Sequence, residues 1–193
     1  MKRVKETLKK TRDRIKGTRF GAKLSTALAF VGIAALLFYF LSRAGSSGRG
    51  GAGGPRPLAA DFSMPDVNGT TRALSSYRGQ IVLLDFWATW CEPCLEELPD
   101  LIRFQEAHKA QGFTIVGVAM DAEGVGVVGP FVRQNKIPYP ILISNGDLPA
   151  GYSIIGFPAA FLIDKNGAIV RRYLGSKSYE ELERDVAELS AAP

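Results

Sequence analysis

Ile81-Val82-Leu83-Leu84-Asp85-Phe86-Trp87-Ala88-Thr89-Trp90-Cys91-Glu92-Pro93-Cys94 joins an apolar run, broken by one aspartate, to the only two cysteines of this 193-residue chain. The run from Ile81 to Trp87 has the length and composition of a buried strand. A strand that delivers a C-x-x-C to the first turn of a helix makes a dithiol that is oxidised and reduced reversibly. Other uses of paired cysteines fit less well. Structural zinc needs four ligands, and the chain has no second cysteine pair and a single histidine, His108. Covalent haem attachment requires a histidine directly after the second cysteine, where Leu95 stands. A purely structural disulfide over so short a loop removes little unfolded-state entropy.

Cys91 is expected at the helix start, where unpaired backbone N–H groups and the positive end of the helix dipole favour a thiolate. It is therefore the expected attacking thiol. Cys94, one turn deeper, is expected to face protein and to resolve the mixed disulfide by attacking Cys91. Pro93 falls in the first turn, where its missing N–H costs least. Glu92 complements the helix dipole but places a negative charge beside Cys91, so its two effects on the potential oppose each other. Trp87 and Trp90 are expected to pack near the dithiol. No Gly-rich dinucleotide or phosphate loop appears and no cofactor or metal is expected, so electrons must come from a protein partner. Asp85 reads either as a buried acid of raised pKa that relays a proton to Cys94, or as a strand-end residue capping the next turn.

Outward from this segment, Val67-Asn68-Gly69-Thr70 signals a hairpin between short strands near Phe62 and Arg72. A helix from Cys91 to Gln111, a buried strand from Phe113 to Met120 and a helix including Pro130 to Lys136 imply a βαβ unit with a parallel pair. The stretch Val125 to Gly129, rich in glycine and β-branched residues, carries little helical signal. Ile141–Ile143, Ala159–Ile163 and Ala168–Tyr173 read as strands, the last two joined by the turn Lys165-Asn166-Gly167. Ser178 and Glu181 form a capping box for a final amphipathic helix reaching Leu189. His108, in the polar run Gln105-Glu106-Ala107-His108-Lys109, reads as part of a solvated helix face.

The segment from Asp85 to Cys94 resembles the active-site segment of the thioredoxin superfamily. Leu74-Ser75-Ser76-Tyr77-Arg78-Gly79 and Phe157-Pro158-Ala159-Ala160-Phe161-Leu162-Ile163-Asp164 extend the likeness to the membrane-anchored, extracytoplasmic TlpA/ResA-like thiol-disulfide oxidoreductases related to cytochrome c maturation. The resemblance implies an α/β, thioredoxin-like fold with a mixed central sheet flanked by helices. It also implies a cis peptide at Phe157-Pro158 opposite the dithiol, with the Phe157 backbone free to pair with a substrate segment. On ladder grounds alone a proline opening a strand is equally acceptable. Asp85 matches the buried acid of thioredoxins, although maturation-type relatives often lack one there. Ala159-Ala160 stands where relatives often carry threonines. Phe62-Ser63-Met64-Pro65-Asp66 resembles the related peroxiredoxins as well, which makes a peroxidase the second enzyme reading; a Cu(I)-binding dithiol chaperone is a third.

Leu24 to Ser42 contains no charged residue and is flanked by Lys23 and Arg43. As a helix it is about 28 Å long, close to the hydrocarbon thickness of a bilayer. The residues before it carry ten basic and two acidic side chains, and those after Arg43 thirteen basic and seventeen acidic. The positive-inside rule therefore puts a basic tail (1–23) in the cytoplasm, an anchor at 24–42, and everything beyond it outside the bacterial inner or plasma membrane. A cleaved signal peptide is the rival reading, set against a long basic region and a long apolar run. A juxtamembrane position explains the basic tail without nucleic-acid binding. Residues 43–57, rich in glycine and proline, form a tether, and 58–193 the catalytic domain. Expected partners are disulfide-bearing exported proteins such as apocytochrome c or copper-site assembly proteins, and a membrane electron donor of the DsbD/CcdA type.

Overall fold

The structure, a computed structural model, describes residues 56–190. The expected cytoplasmic tail, the membrane anchor and nearly all of the tether lie outside the described residues. Among the described residues no helix is long and apolar enough to cross a membrane.

A short hairpin of β1 (Ser63–Pro65) and β2 (Thr71–Ala73) comes first, closed by a turn built around Asp66. The Asp66 carboxylate accepts the backbone N–H of Asn68 and Thr70, each at 2.9 Å, and pairs with Arg72 Nε at 2.7 Å. A 3-10 turn (Leu74–Tyr77) leads to β3 (Ile81–Trp87), then α1 (Glu92–His108) and β4 (Phe113–Ala119). Next come α2 (Val125–Gln134), β5 (Ile141–Ile143), β6 (Ala159–Ile163), β7 (Ile169–Leu174) and α3 (Tyr179–Ser190). The main sheet has the order β5-β4-β3-β6-β7. Strands β4 and β5 run parallel to β3, and β6 pairs antiparallel with both β3 and β7.

All seven residues of β3 are buried because this central strand is covered on both faces. Ile81, Leu83 and Trp87 join one core with Leu98, Leu101 and Phe104 of α1, Val128 of α2, and Leu182 and Val186 of α3. Val82, Leu84 and Phe86 enter a second core with Leu74, Tyr152, Phe161 and Ile163. Buried apolar residues of all three helices thus fall in the first core. The second is closed by the 3-10 turn and by irregular chain around Tyr152, whose hydroxyl donates to the Ala60 carbonyl at 2.8 Å.

The β6–β7 turn is held by Asp164, which accepts the N–H groups of Asn166 and Ala168 at 2.9 Å. Gly167 in that turn has φ +84°, and the Arg78 guanidinium occupies the place where its Cβ would sit. No other residue type fits both conditions.

Three expectations need correction. The helix after the dithiol ends at His108, with a 3-10 turn (Lys109–Gln111) following. His108 is not on a solvated face: it stacks on Phe104 at 4.0 Å between ring centroids, its Nδ1 lies 3.0 Å from the Phe104 carbonyl, and its Nε2 lies 3.1 Å from Glu183. The Val125–Gly129 stretch is helical despite its poor propensity, because Val128 is fully buried and Phe131 packs against Trp87 at 5.5 Å. Packing outweighs the intrinsic cost there.

Candidate active site

Cys91 is the N-cap of α1, with extended backbone angles, and its carbonyl accepts the N–H groups of Cys94 at 3.0 Å and Leu95 at 3.1 Å. Glu92 and Pro93 occupy the first turn, both exposed. The two cysteines are joined in a disulfide with Cα atoms 5.3 Å apart, and both residues are buried. The dithiol therefore sits at the positive end of a seventeen-residue helix.

The segment that carries Cys91 out of β3 is fixed from beneath by Asp121, just past the end of β4. Asp121 is fully buried. Its carboxylate accepts the Thr89 backbone N–H at 3.1 and 3.2 Å and also the Thr89 hydroxyl. The Met120 N–H donates to the Trp87 carbonyl at 2.9 Å. Together these bonds pin Ala88-Thr89-Trp90 to the neighbouring strand end.

Trp90 is 63% exposed and meets Phe157 edge to face at 5.9 Å. The Phe157-Pro158 peptide is cis. Gly175, after β7, donates its N–H to the Pro158 carbonyl at 2.9 Å, and the adjacent Ser176 hydroxyl donates to the Pro93 carbonyl at 3.4 Å. Cys91, Cys94, Trp90, Glu92, Pro93, Phe157 and Pro158 are thus brought to one end of the sheet. Ile155, 92% exposed, lies two residues before Phe157, and Leu174, 73% exposed, ends β7. Exposed apolar residues thus stand on the chain segments next to Phe157 and at the end of β7.

Asp85 belongs to the same alternation as Leu83 and Trp87 and is buried under α1. The sequence reading gave it no partner; the structure gives it Lys177, whose Nζ lies 3.0 Å from Asp85 Oδ1. The same ammonium lies 2.9 Å from Glu97 Oε1, and the Lys177 backbone N–H donates to Glu97 Oε2 at 3.0 Å. The lysine side chain is wholly buried and both carboxylates are 3% exposed. Glu97 is three residues beyond Cys94 on α1, so the two side chains share one helix face about 5 to 6 Å apart.

Burial pushes the Glu97 carboxyl above the usual carboxylate range; the Asp85 charge adds to this and the Lys177 ammonium opposes it. Burial works against the charge on Lys177, but Asp85 and Glu97 outweigh it and raise its pKa. Tyr139, just before β5, is held well above the ordinary phenol value by burial and by the same two carboxylates.

Glu97, Lys177 and Asp121 were not singled out from the sequence. The helical period from Cys94 picks Glu97 over Glu96 as the inward-facing acid. No local pattern marks Lys177, which lies 92 residues from Asp85 in a polar Gly-Ser-Lys-Ser stretch.

A strand-delivered dithiol at a helix N-terminus, on a mixed sheet with a cis-proline alongside, defines a thioredoxin-like thiol-disulfide oxidoreductase. The chain belongs to the AhpC/TSA family, which matches residues 56–172. A thiol-disulfide oxidoreductase ResA of Bacillus thuringiensis subsp. konkukian is 31% identical over 133 residues, 68% of this chain and 76% of the relative. The ResA of Geobacillus kaustophilus is 34% identical over 132 residues, 68% of this chain and 75% of its own length. Among solved structures, one described as a thiol:disulfide interchange protein DsbE from Chlorobium tepidum is 33% identical with a TM-score of 0.66, covering 72% of this chain and 99% of that one. StoA from Bacillus subtilis is 32% identical with a TM-score of 0.57, covering 66% and 98%. The enzyme acts on disulfide-containing substrates, as a thiol-disulfide oxidoreductase of ResA/StoA/DsbE type.

Proposed function

We propose that this protein is a membrane-anchored reductase of disulfides in exported proteins, with Leu24–Ser42 as its anchor and its catalytic domain on the extracytoplasmic side. Substrates of the apocytochrome c or copper-site assembly class, and a membrane electron donor of the DsbD/CcdA type, fit that placement. The carrying observation is the Cys91–Cys94 pair at the head of α1 with a buried, half-neutralised acid cluster one turn below it. An oxidising compartment already contains strong disulfide makers, so a dedicated dithiol there serves as a source of electrons.

In this reading the Cys91 thiolate attacks one sulfur of the substrate disulfide, forming a mixed disulfide and releasing the other as a thiolate that takes up a proton. Cys94 then gives its proton to the acid cluster and attacks Cys91 Sγ. The Cys91–Cys94 bond forms, the bond to substrate breaks, and the substrate leaves as a dithiol reduced by two electrons. A donor dithiol returns the enzyme to its reduced form. The aromatic rim of Trp90 and Phe157 supplies apolar contact for an extended substrate segment.

Cys94→Ser in the full-length membrane protein tests the reading: it leaves the mixed disulfide on Cys91 unresolved, and the trapped proteins are identified directly. Capture of exported thiol proteins supports it, whereas a potential of the purified protein near about −120 mV argues for an oxidant instead. Stoichiometric peroxide consumption that survives Cys94→Ser but not Cys91→Ser would favour the peroxidase reading. Tight Cu(I) binding without thiol exchange would favour the chaperone.

A further inference from the structure

We infer that a cleft on the β5 edge of the sheet is a binding site for a small organic acid, one carboxylate carried on an apolar body. The inference goes beyond the exchange chemistry and does not depend on it.

The cleft lies between the β1–β2 turn, the second half of α2 and the segment 137–140 that leads into β5, and it encloses about 420 Å³. That is within the range of about 300 to 1,000 Å³ usual for small-molecule pockets. β5 is the edge strand, separated from β3 by β4, and no lining residue belongs to the dithiol segment or to the cis-proline loop. The two sites are separate.

The walls are set in advance. The Val67 N–H donates to the Ile141 carbonyl at 3.1 Å, fixing the turn to the start of β5, and the Asp66 carboxylate holds the turn itself in shape. On the opposite wall Gly129 of α2 is buried and offers no side chain. The Arg133 guanidinium, one helical turn on, folds back over it, with Nη1 3.4 Å from the place a Cβ would take. A preformed site spends little of its binding energy on ordering its own walls.

The charges define the ligand. Asp66, Arg72 and Arg133 are the charged residues of the lining. Asp66 and Arg72 cancel, and Arg133 has no acid partner among the described residues, so the cleft carries one positive charge in surplus. Arg72 bonds Asp66 through Nε alone, which leaves its terminal nitrogens for a second acceptor. A guanidinium presents paired N–H groups that match the two oxygens of a carboxylate. Val132, Ile137, Pro138 and Ile141 supply an apolar lining beside these groups. A bare anion would leave that lining in water, and a neutral apolar molecule would cover guanidinium groups without pairing them. An amphiphilic monoanion satisfies both.

The test uses the full-length chain in lipid nanodiscs, with empty nanodiscs as the blank, and follows the fluorine NMR line of fluoronaphthoate. Its neutral isostere, fluoronaphthamide, is the control. The acid is expected to bind saturably with a Kd at or below about 1 mM, and the amide at least about 10-fold more weakly. Arg133 is exposed on α2, so its variants keep the fold. Arg133→Gln is expected to weaken the acid about 10-fold and Arg133→Glu to abolish its binding, with the amide unchanged in both.

Equal affinity for acid and amide, or acid binding that persists in Arg133→Glu, overturns the proposal and places the probe on the exposed apolar residues elsewhere. Absence of saturable binding up to about 10 mM overturns it outright. Inorganic phosphate that displaces the probe as well as unlabelled naphthoate does overturns the organic-acid assignment in favour of a bare anion site. A glutamate-rich peptide that displaces it more tightly than naphthoate also overturns it, in favour of a protein partner.

Discussion

The two faces of the central sheet are built from alternate residues of the same strand, yet they do different work. Val82, Leu84 and Phe86 pack into an apolar cluster with Leu74, Val116, Leu142, Phe161 and Tyr152. Ile81, Leu83 and Trp87 face the helices, and among them Asp85 meets Lys177 and Glu97 within an otherwise apolar core that also encloses both cysteines. A one-residue register slip would exchange the two faces and bury the acid where no cation waits. The first face contributes stability without chemistry. The second gives up some stability, since buried charges offset their own desolvation only partly.

The contrast breaks most sharply at Cys91. Cys91→Ser is expected to abolish disulfide reduction while the thermal midpoint of the reduced protein changes little, because Cys91 makes no side-chain capping bond to lose and serine is itself a favoured N-cap. Residual turnover above background in that variant would move the attacking role to Cys94. On the other face, Phe86→Ala is expected to cost about 3 to 5 kcal/mol by chemical denaturation, through the cavity left among Tyr152, Phe161 and their neighbours, with the per-molecule exchange rate of the folded fraction retained.

Glu97→Gln is expected to slow resolution by about 10- to 100-fold near neutral pH and to leave the first attack nearly unchanged. Equal slowing of both phases would locate Glu97 in binding rather than in proton transfer.

The buried acids also differ in sign. The Asp66 carboxyl is held below its ordinary value of 3.8: burial pushes it up, but Arg72 and the N–H groups of Thr70 and Asn68 more than compensate. Its contribution to stability is present above that value and is lost as pH falls through the depressed one. Asp66→Asn is therefore expected to cost about 1 to 2 kcal/mol at neutral pH and progressively less in acid. Glu97, held above 4.5, contributes stability that is complete in acid and declines as pH rises through its raised value. Both amide variants should approach wild type in acid and depart from it as pH rises, in opposite directions: Asp66→Asn loses stability relative to wild type, whereas Glu97→Gln escapes the loss that wild type suffers on ionising Glu97. The smallest effect expected is Ser178→Ala, about 1 kcal/mol or less, from loss of the hydroxyl that accepts the Glu181 N–H at 3.2 Å at the start of α3.

What was legible in the sequence depended on how local its cause was. The apolar run of β3, the dithiol at the helix start, the turn at Lys165-Asn166-Gly167 and the Ser178 cap each follow from neighbours a few residues apart, and the structure has them. His108 was misplaced because composition was followed where period should have been. Leu101, Phe104, Gln105 and His108 recur at one helix face, and all four are buried, with the Gln105 carbonyl oxygen accepting the Ile115 N–H at 2.7 Å. A polar residue on a core stripe is buried with a partner. Asp85 was legible as a buried acid but not as a paired one, since Lys177 arrives from the far end of the chain. Asp121 sits at a strand end, where an aspartate has many ordinary uses, and only the neighbouring strand shows that it holds Thr89.

The lysine's position near the end of the domain gives the site a history within each molecule. A ribosome releases β3 and α1 long before residue 177. Until β7 docks against β6, Asp85 and Glu97 have no cation to share, and two unmatched carboxylates oppose closing α1 over the sheet. The dithiol is therefore chemically complete early in synthesis but electrostatically complete only at its finish. A chain truncated before Lys177 lacks the cation that Asp85 and Glu97 share, so the domain's C-terminal segment completes the charge pairing beneath α1.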